Sequence, residues 1–139
     1  MPRSAKSAVV ETPKRPKAGP EPREGLNLAI VRGAVSSAPE VRVLPSDTTL
    51  VQLQVTTRLA DETLSMPVSC FNPAPWVEEL EPGDEIVVVG RVRRRFFRAG
   101  GATASRVELD AGFVARAGDR RRVRAAVRRA TEALEILDE

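Results

Sequence analysis

Between Asp84 and Gly101 the chain reads DEIVVVGRVRRRFFRAGG, and this stretch limits the fold more tightly than any other. It reads as one long strand that changes character halfway. Side chains two apart on a strand share a face. Ile86 to Val89 is apolar on both faces, so that half belongs in a core. Beyond Gly90 the odd positions carry Arg91, Arg93 and Arg95, then Phe97. Three guanidiniums and an aromatic ring therefore line one side of the sheet. Cations beside a flat aromatic surface suit a polyanion with stackable bases, which is single-stranded nucleic acid.

The flanking sequence supplies strands to surround this one. LNLAIVRGAVSS, from Leu26, alternates loosely and holds Gly33, which reads as a bulge or sharp bend. APEVRVLPSDTT reads as a turn, a short strand and a second turn on Pro45-Ser46-Asp47. LVQLQVTTR (50–58) sets Leu50, Gln52, Gln54 and Thr56 against Val51, Leu53, Val55 and Thr57, a strict alternation. LADET is a hairpin connection. LSMPVSCF (64–71) is a third strand, weakened by Pro67, which suits an edge or a bulge. Pro75 and Pro82-Gly83 bracket a short helix of about Pro75 to Leu80. After the long strand, Gly100-Gly101 turns the chain into a fifth strand, SRVELDAGF. Strands interrupted by one short helix between the third and fourth predict an all-β fold, a small closed barrel.

The two ends differ from this middle. Residues 1–25 hold prolines at 2, 13, 16, 20 and 22, six basic and three acidic groups, and few apolar side chains. Such a composition buries too little surface to offset ordering entropy, and it predicts a disordered, basic, Pro-rich tail. The tail is read either as an electrostatic arm for nucleic acid or as a solvated extension without a role. Residues 118–138 read as an amphipathic, Arg-rich helix. Val123, Ala126, Val127, Ala130, Leu134 and Leu137 share one face, and Asp119 is the N-cap. Arg120, Arg121, Arg122 and Arg124 sit at the positive end of its dipole, which costs a few tenths of a kcal/mol each, or about that. Either a partner or phosphates hold those arginines, or the apolar stripe docks on the domain or a second subunit and the charges are a solvated face. The domain between these ends is expected at 26–115.

Composition excludes several classes of function. Residues 26–112 carry nine basic and eleven acidic groups, so any anion site there depends on local clustering. There is no His and no Tyr, and the one cysteine, Cys70, has no imidazole to activate it. The carboxylates show no paired catalytic spacing, and no phosphate-cradling glycine loop appears. The expectation is no enzyme, no cofactor, no metal and no small-molecule substrate. No apolar run approaches the ~18 residues of a membrane span. No secretory signal is present, and a single cysteine forms no internal disulfide, so the cytoplasm is expected.

The order of strands and several local motifs resemble the bacterial single-stranded DNA-binding proteins, an OB-fold family. The motifs are LNLAIVRGAV followed by APEVRVLPS, VSCF, then LEPGDEIVVVGRVRRRFF and ASRVELDA, in order over residues 26–112. The resemblance implies a five-stranded OB barrel that binds single-stranded DNA with little sequence preference, in replication, repair or recombination. It also implies association as a homodimer or homotetramer. Carried over by position, Phe71 and Phe97 match stacking aromatics, and Arg91, Arg93 and Arg95 line the groove. Arg42, in PEVR, is a further matching position. The chain departs from the family pattern at Ser65, where a Trp often stands, and at Leu59-Ala60-Asp61, where another aromatic does. The family's acidic C-terminal tip is absent and the Arg-rich helix takes its place, which marks a divergent paralogue.

The individual residues keep competing readings. Phe97 either stacks a base or packs locally, and Phe71 is a stacking ring or ordinary core. Trp76 reads as core, Cys70 as a small buried hydrophobe, and Phe96 as a cap on the barrel end. Arg94 serves a subunit interface or binds nothing. With about four arginines on phosphates, log K should fall against log salt with a slope near −3, at about −0.7 per phosphate. Two other functions compete: a protein–protein module on an OB scaffold that docks through the C-terminal helix, and an RNA-binding OB protein.

Overall fold

A computed structural model describes residues 25–136; the expected tail, apart from Gly25, and Leu137 of the helix stripe lie outside the described residues. Six strands follow one another: β1 (Ala29–Val35), β2 (Glu40–Val43), β3 (Thr49–Arg58), β4 (Thr63–Phe71), β5 (Glu85–Ala99) and β6 (Ala102–Arg116). A short 3-10 helix, Pro75–Glu79, separates β4 from β5, and the helix α1 spans Arg120–Ile136.

Across the sheet the order is β1-β5-β6-β4-β3-β2. The sheet closes where Ala34 and Val35 of β1 pair with Thr56 and Val55 of β3. β2 continues along the same strand, Glu40 opposite Gln52 through Val43 opposite Thr49. β1 and β2 are thus two halves of one barrel strand, and the architecture is the five-stranded OB barrel with an added C-terminal helix. β4 meets β6 in parallel only at Val68 and Ser69, so Pro67 stands where one side of β4 carries no ladder.

Gly33 is a crossing point, not a bulge. The β1–β5 register runs unbroken from Ala29 to Ala34. A Cβ on Gly33 would lie 2.4 Å from the Thr56 carbonyl oxygen, so only glycine lets β1 pass from β5 to β3 here. The irregularity falls elsewhere: Val89 faces Phe113 while Gly90 faces Ala111, which leaves Gly112 as the extra residue of β6.

The core follows the alternation. Val51, Leu53 and Val55 of β3, Val68 and Cys70 of β4, Ile86 and Val88 of β5 and Leu109 of β6 all point inward and are buried. Each such aliphatic side chain contributes roughly 1.5–3 kcal/mol. Val77 and Leu80 join the same cluster from the 3-10 turn, with Trp76 at its margin. The Arg116 guanidinium covers the Trp76 ring at 5.0 Å.

Phe96 does not cap the barrel; it is 67% exposed. The pairing of β1 with β5 ends at Gly90, whereas β5 and β6 pair on to Ala99 and Ala102. The hairpin therefore runs past the barrel, and Phe96 sits on its projecting part. The helix stripe also divides. Ala126 and Ala130 are buried as α1 packs on β5 and β6, while Val127 and Leu134 stay exposed. Asp119 does cap α1, its Oδ1 accepting from the Arg122 N–H at 3.3 Å.

Candidate nucleic-acid interface

β5 holds one parity along its length. Ile86 and Val88 turn into the core and the odd positions take the opposite side, while past Gly90 the even side, Val92, Arg94 and Phe96, is exposed on the projecting hairpin. The outward Val87 and Val89 lie on the part of the sheet that α1 covers. Past Gly90 the same side carries Arg91, Arg93, Arg95 and Phe97. A Cβ at Gly90 would sit 2.1 Å from the Asp110 carbonyl oxygen, so the two strands approach closely where the strand changes character.

The neighbouring strands complete the face. β6 sets Asp110, Glu108 and Arg106 opposite Arg91, Arg93 and Arg95. Ser69 of β4 pairs with Asp110 on one side and with Gln52 of β3 on the other. Gln52 in turn faces Glu40 of β2. Phe71 follows Ser69 on the same side of β4, and it is 36% exposed, so it is not core. Arg42 is exposed and donates from Nη2 to Gln52 Oε1 at 3.2 Å. Phe97, 42% exposed, opens on a cleft of about 480 Å³ that Arg42, Gln52, Arg95 and Arg106 share. Arg95 links the two rings: it lines the Phe97 cleft, and its Cζ lies 5.9 Å from the Phe71 centroid. All six residues expected from sequence thus stand on one outer face of the barrel.

The arginines are already partnered. Arg91 Nε and Arg93 Nη1 reach Asp110 Oδ2 at 3.4 and 3.3 Å. Arg95 Nε donates to Glu108 Oε2 at 2.8 Å, and Arg106 Nη2 lies 3.8 Å from Glu108 Oε1. Ser69 Oγ also donates to Glu108 Oε2, at 2.9 Å. Glu108 is fully buried under these groups. Its Oε1 and the Arg95 Nη2 are both buried without a hydrogen-bond partner. The face holds five guanidiniums (42, 91, 93, 95, 106) and three carboxylates (40, 108, 110), a net charge of +2. That is less than a count of arginines on β5 alone implies.

Sequence reasoning did not find Arg106, Glu108, Asp110, Gln52 or Ser69. The signal for three of them was present, since RVELD alternates charged and apolar residues as an outward strand face does. Behind the face, burial in the core pushes the Cys70 thiol up to about 12, with the Asp110 charge adding to the effect. Among the described residues no cluster of three or more Cys, Asp or Glu side chains could hold a metal ion. No helix among them is long and apolar enough to cross a membrane.

No protein-family model and no curated protein matches the chain. Among solved structures, a deletion mutant of the single-stranded DNA binding protein from Thermus aquaticus superposes with a TM-score of 0.57 at 26% identity. The match covers 69% of this chain and 45% of that protein, so the chain spans less than half its length. The fold is similar to that of a bacterial single-stranded DNA-binding protein.

Proposed function

We propose that this OB barrel, similar in fold to a bacterial single-stranded DNA binding protein, itself binds single-stranded DNA with little sequence preference. The observation that carries the reading is the convergence of Arg42, Arg91, Arg93 and Arg95 with the exposed rings of Phe71 and Phe97 on one outer face. Guanidiniums follow a phosphate backbone, and each ring offers a stacking platform that any base fits. The partly exposed Gln52 adds a hydrogen-bonding group without building a pocket for one base. The chain acts as a binding protein and not as an enzyme, in replication, repair or recombination, in the cytoplasm, as a homodimer or homotetramer.

Fluorescence anisotropy with labelled oligo-dT tests this. Phe97→Ala should weaken binding about fivefold or more, from a stacking contribution of roughly 1–3 kcal/mol. Arg93→Ala should weaken it less and flatten the salt dependence. If both variants bind as wild type does, the face is not the interface. Oligo-U measured in parallel separates a DNA preference from an RNA one. The alternative, a protein module docking through α1, draws on the exposed Val127 and Leu134. It predicts negligible oligonucleotide binding and retention of a specific partner.

A further inference from the structure

Beside the cation face a second concavity of about 620 Å³ lies between α1 and the sheet. Its volume falls within the ~300–1,000 Å³ usual for ligand sites. The floor is made by Gly90, Gly112 and the partly buried Phe113, and the far wall by alanines of α1. The glycines and alanines leave the space open. The rim is cationic: Arg91 on the sheet side, Arg122 and Arg129 on the helix side.

Three observations give this groove an occupant. It is continuous with the face described above, because Arg91 and Asp110 line both. Its rim holds three guanidiniums against one carboxylate, Asp110, so it suits a polyanion. Arg122 is placed by Asp119 at 3.9 Å and by the Phe113 ring, 5.2 Å from its Cζ. For Arg129, no carboxylate stands within salt-bridge distance among the described residues. Arg122 stands in the first turn of α1, the unfavourable end of the dipole for a cation.

We propose that the groove under α1 is a second stretch of the single-stranded DNA path. A strand leaving the Phe97–Arg95 face passes Arg91 and enters between helix and barrel, its phosphates on Arg122 and Arg129 and its bases over the Gly90–Gly112–Phe113 floor, against the alanine wall. This rests on the reading of the cation face as a DNA interface. It makes α1 part of the binding surface and lengthens the bound segment beyond what the barrel face alone holds.

The test is a length series of labelled oligo-dT against the full chain, at several salt concentrations. Short oligomers should bind the face alone, with a slope near −1.4 for a net charge of +2 at about −0.7 per phosphate. Longer oligomers should bind more tightly and approach a slope near −3, as two more phosphates are neutralised. Arg129→Ala should flatten only the long-oligomer slope, by about 0.7. At ~0.1 M salt, that is a loss of about fivefold relative to 1 M. Gly112→Val is the second variant. A Cβ there meets only the Val89 carbonyl oxygen, at 3.6 Å, so the added methyls should enter the groove without displacing the strand. It should abolish the gain with length and leave short-oligomer binding at the wild-type level. If wild type binds short oligomers and gains nothing with length, or both variants keep the full gain, the groove assignment is overturned. A change of oligomeric state in Gly112→Val with DNA binding intact would also overturn it, because the occupant is then a second copy of the chain. Absence of binding by wild type at every length would instead remove the reading of the cation face on which this one depends.

Discussion

At the scale of single residues, the arginines of β5 divide into two kinds. Arg93 is exposed and shares its carboxylate with Arg91. Exposed pairs of this type contribute about 0–1 kcal/mol. Arg95 covers Glu108, which has no access to solvent and takes only one other hydrogen bond, from Ser69. Removing Arg95 leaves the buried Glu108 with only the more distant Arg106, at 3.8 Å, to offset its charge, at a cost below the roughly 3–5 kcal/mol of a fully unpaired one. Urea denaturation should therefore find Arg95→Ala much less stable than Arg93→Ala, and Arg95→Ala with Glu108→Gln should recover a large part of the loss. Equal midpoints for the two single variants would show that Glu108 does not need Arg95. Cys70 gives a second residue-level expectation. Its folded value of about 12 lies above its ordinary 9.0, so the folded state holds the thiol proton more tightly than the unfolded chain. The associated stability is complete below pH 9 and declines towards pH 12, at up to about 1.4 kcal/mol per pH unit. Cys70→Ala should flatten stability against pH in that window, and native Cys70 should resist alkylation at pH 8.

At the scale of elements, β6 sets what β5 can do. Its carboxylates pair with four of the five arginines on the face, so the affinity of β5 for phosphate is held down by its neighbour. Asp110→Asn should release Arg91 and Arg93 from their shared acceptor. Oligo-dT binding should tighten by about fivefold at ~0.1 M salt, and the salt slope should steepen by about 0.7. Unchanged affinity and slope would mean that phosphates do not reach these two arginines. The parity of β5 was legible in the sequence, because outward Arg91, Arg93, Arg95 and Phe97 need only a period of two. So was the inward alternation of β3. The outward parity of Glu108 and Asp110 was legible too, but their place beneath the arginines was not, because a single strand pattern carries no information on what stands opposite it. Phe96 was misplaced for a related reason. Alternation fixes which side a residue takes, while the length of hairpin beyond the barrel depends on where β1 stops pairing. The bulge at Gly112 was hidden as well, since Gly33 was the more conspicuous glycine and its role is a close crossing.

At the scale of the whole molecule, two kinds of attraction have to be told apart. The charges are diffuse: the described chain has more arginines on β5 and α1 than its face can present unpaired. Such a field attracts any nucleic acid, duplex included. Discrimination for a single strand must come from Phe71 and Phe97, since bases within a duplex offer no open π-face to either ring. Their placement supports this division, with Phe97 42% exposed and Arg95 between the two rings. The double variant Phe71→Ala/Phe97→Ala keeps every charge on the face. It should lose oligo-dT affinity by about thirtyfold or more, from two stacking contributions of roughly 1–3 kcal/mol each, and keep the salt slope of wild type. Its affinity for a duplex of the same length should stay within about twofold of wild type, because phosphate contacts alone serve that complex. Competition anisotropy, with duplex and single strand as rival ligands, measures both terms in one experiment. A parallel loss of duplex and single-strand affinity would show that the rings hold the barrel face together instead of stacking bases. A flattened slope would show that Phe71 is needed to place Arg95, and the cation–ring contact, not base stacking, would then be its contribution to binding.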